Sequence, residues 1–569
     1  MKKITFTAVF LFLTILLCIG IAAEETVYVG GADSAYSTLS DAVAALPNGG
    51  NIIIAEDTAI SAATVLPSTA GVLHISAENG AVLSLGARLT LGGETVFDDI
   101  TIHNSAASSM FIVAANHPVT FEDGVECTSA SGGIVYPSVV GGAYSAASSG
   151  GSHITVKGGT WRNVYGGNYN DAFSGDSVVD FTGGTVLLTL CGGSYSGNFT
   201  GNATINMGGS AVMEYNTVSN SAVGLIGAEV GVANGTARTF TGNVDINIGG
   251  NAVVYANIIG GTRNSNVTVK GDITVDIYGN ANVRRHIYGG SYADNITTGS
   301  DGIVVTISDN AKFTQPSGAS TTVCAGCQSG TVTGNVKIVV DANTTITGNV
   351  YGGGYAGVVT GDSIAELRRG TVNVNFTAQS RTGSVSGTVT NIINSGKVGG
   401  EVRGDVTVDL AAGAEATIHA STGTITTVAP AGYEIVIDNS GEDTIYTAVS
   451  ITAGTALAVT DTDMFVDKLG RGNVRIVTTA TVPESKTVTG YGTYFIPLAV
   501  FTGDDEALTR AARVYTDGAL ADGERFSADL LEIPEEFANE TLMAISFCIV
   551  GGVEVTTAQY TFSINGLAG

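Results

Sequence analysis

The sequence predicts an all-β protein whose main body is a parallel β-helix, and three observations carry that prediction. Glycine supplies 78 of the 569 residues, roughly twice its average frequency, while proline supplies only 9. From about residue 140 onward, short alternating strands recur with glycine corners between them. Charged residues are 13% of the chain, about half the usual share, so the surface is built largely of Thr, Ser, Asn and Gly. With 44% hydrophobic residues the chain has enough apolar surface to bury a core despite its glycine content.

The first element is a leader. Lys2 and Lys3 precede an apolar stretch at 4–21, and Ala22-Ala23 form a small-residue exit before Glu24-Glu25. This is the pattern of a secretory signal, residues 1–23. Cys18 follows Leu17, where lipid attachment requires a small residue. No later apolar run reaches the length a membrane helix needs, so no membrane span is expected in the mature chain. A strand at 26–29 follows, then a helix at 37–46 with Leu39, Val43 and Leu46 on one face and Ser37 or Ser40 as its N-cap. Pro47-Asn48-Gly49-Gly50 ends it and Ile52-Ile53-Ile54 resumes strand. One amphipathic helix before a long series of strands suits a plug over the open end of a solenoid, where core and strand edges are otherwise exposed.

The repeating body has three elements. One is Gly-Asp or Gly-Asn before an alternating strand: SGDSVVDF from Ser174, TGNATINM from Thr200, TGNVDINI from Thr241, KGDITVDI from Lys270, TGNVKIVV from Thr333 and RGDVTVDL from Arg403. The second is a glycine turn and another alternating strand, as in GGTVLLTL from Gly183. The third is a paired glycine flanked by tyrosine: VYGGNY ending at Tyr169, CGGSY at Tyr195, IYGGSY at Tyr292 and VYGGGY at Tyr355. Period-2 alternation sends one side chain inward and the next outward, and glycine supplies the positive φ of sharp corners. Three strands per repeat imply coils stacked in parallel about 4.8 Å apart.

These residues carry a resemblance. The unit of TGN, strand, GG, strand and VYGGGY resembles repeats of large secreted and cell-surface β-helix proteins of bacteria, described as adhesin-like. The opening segment, 27–57, resembles the start of pectin-lyase-like β-helices. The resemblance spans roughly residues 26–420. It implies a right-handed helix and a non-enzymatic adhesin-like role, and says little about activity, because this fold carries lyases, hydrolases, adhesins and passive stalks alike.

Between about 421 and 485 the corners thin out but strands persist, at 433–437 and 473–477, and these are expected to be the last, less regular coils or a cap. From 486 the texture changes. Segments 494–501, 512–515, 542–550 and 560–564 read as strands of a small β-sandwich of the immunoglobulin or fibronectin type III kind. The expected domains are therefore 1–23, 24–485 and 486–569.

Chemistry is sparse. Twenty-four basic against 51 acidic residues give a net charge of −27, which excludes nucleic acid as a partner in the absence of a basic stripe. Of the pectin-hydrolase signatures only an Asp-Asp is present, at Asp98-Asp99 and Asp504-Asp505, and the first reads as a polar corner. The six histidines lack ligand spacing. Cys324 and Cys327 form a lone CxxC, so neither a metal nor a cofactor is expected. Cys191 and Cys324 fall in the repeat column that holds Tyr165, Tyr288 and Tyr351, which reads as packing. Arg403-Gly404-Asp405 spells the tripeptide that integrins read, but the column elsewhere holds SGD, TGN and KGD, so it is a corner variant. Asp461 and Asp463 read as a turn.

The ligand-binding candidates are Tyr144, Tyr169, Tyr195, Tyr292 and Tyr355, the second tyrosine of Gly-Gly-x-Tyr, interrupted by Arg263 and Gln328. Exposed aromatic rings stack on sugars, and repetition adds avidity; the alternative is that the rings pack on neighbouring coils or shield corners. The leading reading is a secreted or cell-surface protein that binds a polysaccharide, a host or cell-surface glycan, or a protein along a rigid rod. The alternatives are a carbohydrate-active enzyme (polysaccharide lyase or glycoside hydrolase) and a passive stalk.

Overall fold

The computed structural model describes residues 25–567 apart from 32–33, 215–223, 232–235, 265, 316–319, 467–471, 502–507, 535–536 and 538. The expected signal segment and Asp504-Asp505 lie outside the described residues. The chain divides into two compact units. One takes in the chain up to Thr407 together with Thr417–Thr426, and the other Val408–Ala416 with Thr427–Gly569.

The first unit is a long stack of parallel strands, consistent with a β-helix. Stacking begins where Thr26–Val29 pairs in parallel with Gly50–Ile54. The strands after the Gly-Asp and Gly-Asn corners stack in strict register: Ser177–Phe181 on Ala203–Met207, then Val244–Ile248, Ile273–Ile277 and Ile303–Asp309. Their alternation becomes an inward column, Val179, Ile205, Ile246, Val275 and Val305, each fully buried. Each such side chain contributes about 1.5–3 kcal/mol relative to exposure. Phe173, Phe199 and Phe240 form a second internal column, with ring centroids 4.9 and 4.6 Å apart. Trp161 is fully buried, bonded through Nε1 to the carbonyl of Gly158, and packed on Phe121.

The Gly-Asp and Gly-Asn corners have a job that alternation alone does not reveal. The side-chain oxygen of each acidic or amide residue accepts the backbone N–H of the equivalent position in the next coil. Asp176 accepts from Asn202, Asn202 from Asn243, Asn243 from Asp272, and Asp272 from Gly302, at 2.7–3.0 Å. The ladder survives a 41-residue coil between Asn202 and Asn243. The glycine beside it is obligatory: Gly242 has φ +142, and a Cβ there would lie 1.8 Å from the carbonyl oxygen of Gly201. Asp405 belongs to the same kind of corner, accepting from the N–H of Thr424 at 2.8 Å.

The helix expected at 37–46 is α1 (Leu39–Ala45), with Leu39, Ala42 and Val43 buried. Its N-cap is Thr38 rather than Ser37 or Ser40, because the Thr38 hydroxyl is the one that accepts the N–H of Asp41.

The second unit is antiparallel. Tyr433–Asp438 pairs antiparallel with Thr444–Ser450, unlike the parallel strands of the regular coils. Ala456–Val466, Gly472–Thr481 and Arg525–Ile533 form a three-stranded sheet. The segment 473–477, expected as a late coil or cap, therefore joins residues beyond 486 in one sheet. Asp461 and Asp463 lie in the first of these strands and not in a turn. A five-stranded sheet is built around Val488–Pro497 and Leu542–Val550. Val474, Ile476 and Ala528 of the first sheet share a buried cluster with Phe495, Leu542 and Ala544 of the second.

Candidate functional site

The paired glycines place two columns side by side on the stack. The inner one runs in register through Val140, Tyr165, Cys191, Ile226, Ile259, Tyr288, Cys324 and Tyr351, all buried. Cys191 and Cys324 thus occupy the tyrosine column, as the spacing predicts. All five cysteines among the described residues are free. Burial pushes the Cys327 thiol up to about 12 and that of Cys324 further, so neither is a thiolate at neutral pH.

Four residues on comes the outer column. Each member donates its backbone N–H to the coil before it: Tyr169 to Ala143, Tyr195 to Asn168, Arg263 to Glu229, Tyr292 to Thr262, Gln328 to Ser291, Tyr355 to Cys327 and Arg381 to Gly354. All five predicted tyrosines therefore share one ridge, each half-buried. Where the residue just before the outer column is polar, it anchors the corner. Asn168 accepts from the Ala143 N–H and the Ser148 hydroxyl and donates to the carbonyls of Ala146 and Ala172. Ser194, Ser291 and Ser380 accept the N–H of Asn168, Thr262 and Gly354. Cys327 stands in this column too, its sulfur accepting the Ser291 N–H at 3.3 Å. The CxxC spacing is thus the step from the inner column to the residue just before the outer one.

The ridge has two stations. At the first, Tyr144, Tyr169 and Tyr195 stack in parallel, with centroids 4.8 and 4.5 Å apart and planes within 6°. Phe111 tilts against Tyr144 and Tyr169, and the Arg88 guanidinium lies 4.5 Å over Tyr144. Of the two readings of these rings, packing on neighbouring coils describes this station. Coil spacing matches ring thickness, so the rings cover one another and present edges and hydroxyls. They border a cleft of about 450 Å³ that Arg88, Ser109, Arg162 and Asn163 also line. Burial and the neighbouring phenols push Tyr169 up to about 12, which keeps its hydroxyl a hydrogen-bond donor.

At the second station Tyr292 and Tyr355 are separated by Gln328, and each ring is covered by an arginine: Arg263 at 4.0 Å and Arg381 at 4.4 Å. Their cleft, about 400 Å³, is also lined by Arg285, His286 and Tyr288. His286 accepts the Thr322 N–H through Nδ1 at 3.0 Å, and burial with Arg285 beside it lowers its pKa. The ring is therefore neutral and carries its proton on Nε2.

No carboxylate lines either cleft. Among the described residues, no three His, Cys, Asp or Glu side chains converge in a way that could hold a metal ion, and no helix is long and apolar enough to cross a membrane. Asp99 sits at a corner with φ +44 before Thr101–Asn104. Sequence reasoning missed Arg88, Arg162 and Arg381. Of these only Arg381 carried a signal, its position four residues after Thr377 in the inner column. No protein-family model, curated protein or solved structure matches this chain.

Proposed function

We propose that this chain is a secreted or cell-surface, non-enzymatic, adhesin-like protein that binds a glycan along the tyrosine ridge. On this reading the first unit is a right-handed β-helix capped by α1, and the second an immunoglobulin- or fibronectin-like sandwich. The observation that carries the proposal is the parallel stack of Tyr144, Tyr169 and Tyr195 beside a polar cleft. Three phenols repeating at coil spacing offer a row of donors and acceptors to a polyol, and many weak contacts along a rigid ridge add through avidity. Hydrolysis of a glycosidic bond needs two carboxylates about 5–9.5 Å apart, and the clefts are lined by none. This favours binding over hydrolysis.

The test is a glycan array probed with the purified protein, run in parallel with ultraviolet detection of unsaturated products. Binding without product release, weakened by Tyr169→Phe, is expected. Product formation overturns the non-enzymatic reading. Neither binding nor product overturns glycan recognition and leaves the stalk.

A further inference from the structure

Several arginines of the first unit are paired with carboxylate: Arg238 with Glu229, Arg369 with Asp341 and Arg403 with Glu401, at 2.6–2.8 Å. In a chain with two acids per base that is the expected outcome. Arg284 instead bonds the Thr314 carbonyl and lies over Tyr255. Arg88, Arg263 and Arg381 also each lie over a tyrosine ring and form no ion pair among the described residues. Arg162 bonds only the Ser109 hydroxyl, at 3.3 Å. Arg263 Nε is buried without a hydrogen-bond partner.

A guanidinium over an aromatic ring is held by cation–π attraction and keeps N–H donors for other acceptors. Its planar fork matches a planar or tetrahedral anion, and no carboxylate lines the clefts that Arg88 and Arg381 border. We propose that the ridge recognises glycans bearing anionic substituents, carboxylate or sulfate, and that Arg263 and Arg381 at the second station are the specificity-determining residues. This rests on the glycan reading above. The chain's net charge of −27 narrows the class further. Its repulsion acts within a Debye length of about 8 Å and grows with the ligand's charge density, so a sparse charge on an otherwise neutral glycan binds better than a dense polyanion.

The experiment uses the full secreted chain at about 0.15 M salt, where that screening holds. An array of neutral, carboxylated and sulfated oligosaccharides is probed first, and calorimetry follows on its best member. Anionic members bind, and Arg381→Gln weakens them about ten-fold, the loss expected for one charge-assisted hydrogen bond. Arg381→Lys recovers part of that loss, while thermal unfolding of both variants matches the parent. Preference for carboxylated or for sulfated members identifies the substituent. Neutral members binding as tightly, or Arg263→Gln and Arg381→Gln both leaving affinity unchanged, overturns this inference alone. Binding to no member overturns the glycan reading with it.

Discussion

Tyr169 separates what the ridge does for stability from what it does for binding. Its ring meets four others: Tyr144 at 4.8 Å, Tyr195 at 4.5 Å, Phe111 at 4.8 Å and Tyr165 at 5.7 Å. Aromatic pairs contribute about 0.5–1.5 kcal/mol each beyond burial. Taking the lower half of that range because the ring is half-exposed, Tyr169→Ala should destabilise the first unit by about 2–4 kcal/mol. Tyr169→Phe keeps all four pairs and removes only the hydroxyl, so its effect should stay within about 0.5 kcal/mol. The assay is urea denaturation followed by near-ultraviolet circular dichroism, which reads stacked tyrosines directly. The same two variants then go onto the best glycan from the array. Phenylalanine that preserves stability but weakens binding assigns the hydroxyl to the ligand. The reasoning fails if alanine costs under about 1 kcal/mol, because the stack then contributes less than its geometry implies. It fails equally if phenylalanine costs as much as alanine.

Two further outcomes follow from buried and corner groups. Asn243→Ala removes the acceptor for the Asp272 N–H in the corner ladder, and should lower stability by about 0.5–1.5 kcal/mol while Asn243→Asp stays near the parent; equal losses in chemical denaturation would deny the ladder its role. Glu229, fully buried, lies 2.7 Å from Arg238, and burial pushes its carboxyl up to about 7 against the pull of that arginine. A folded-state value above the unfolded one means its stabilisation is complete below the ordinary value of 4.5 and is lost as pH rises through about 7. Melting curves should therefore show Glu229→Gln tracking the parent near pH 4 and outlasting it near pH 8, and a parent more stable than the variant at the higher pH would mean that the ion pair outweighs desolvation.

The parts legible in the sequence were those that depend on period. Alternation placed Val179, Ile205 and Ile246 inward, and the spacing of Gly-Gly-x-Tyr put five tyrosines on one ridge, because every coil repeats the same corner. Alternation is silent about strand direction, which is why the antiparallel pairing of Tyr433–Asp438 and the sheet joining Gly472–Thr481 to Arg525–Ile533 escaped it. Arg88 was illegible for another reason: it reaches Tyr144 from outside the repeat column.

Coil spacing decides between the two readings of the tyrosine column. Coils about 4.8 Å apart leave room for one ring thickness and nothing else, so tyrosines on consecutive coils must stack on each other. Tyr144, Tyr169 and Tyr195 occupy consecutive coils and do so. Tyr292 and Tyr355 are two coils apart with Gln328 between them, and the faces they would have offered to a sugar are covered by Arg263 and Arg381 from the adjoining coils. Register alone thus leaves mutually stacked phenols at one station and arginine-covered phenols at the other.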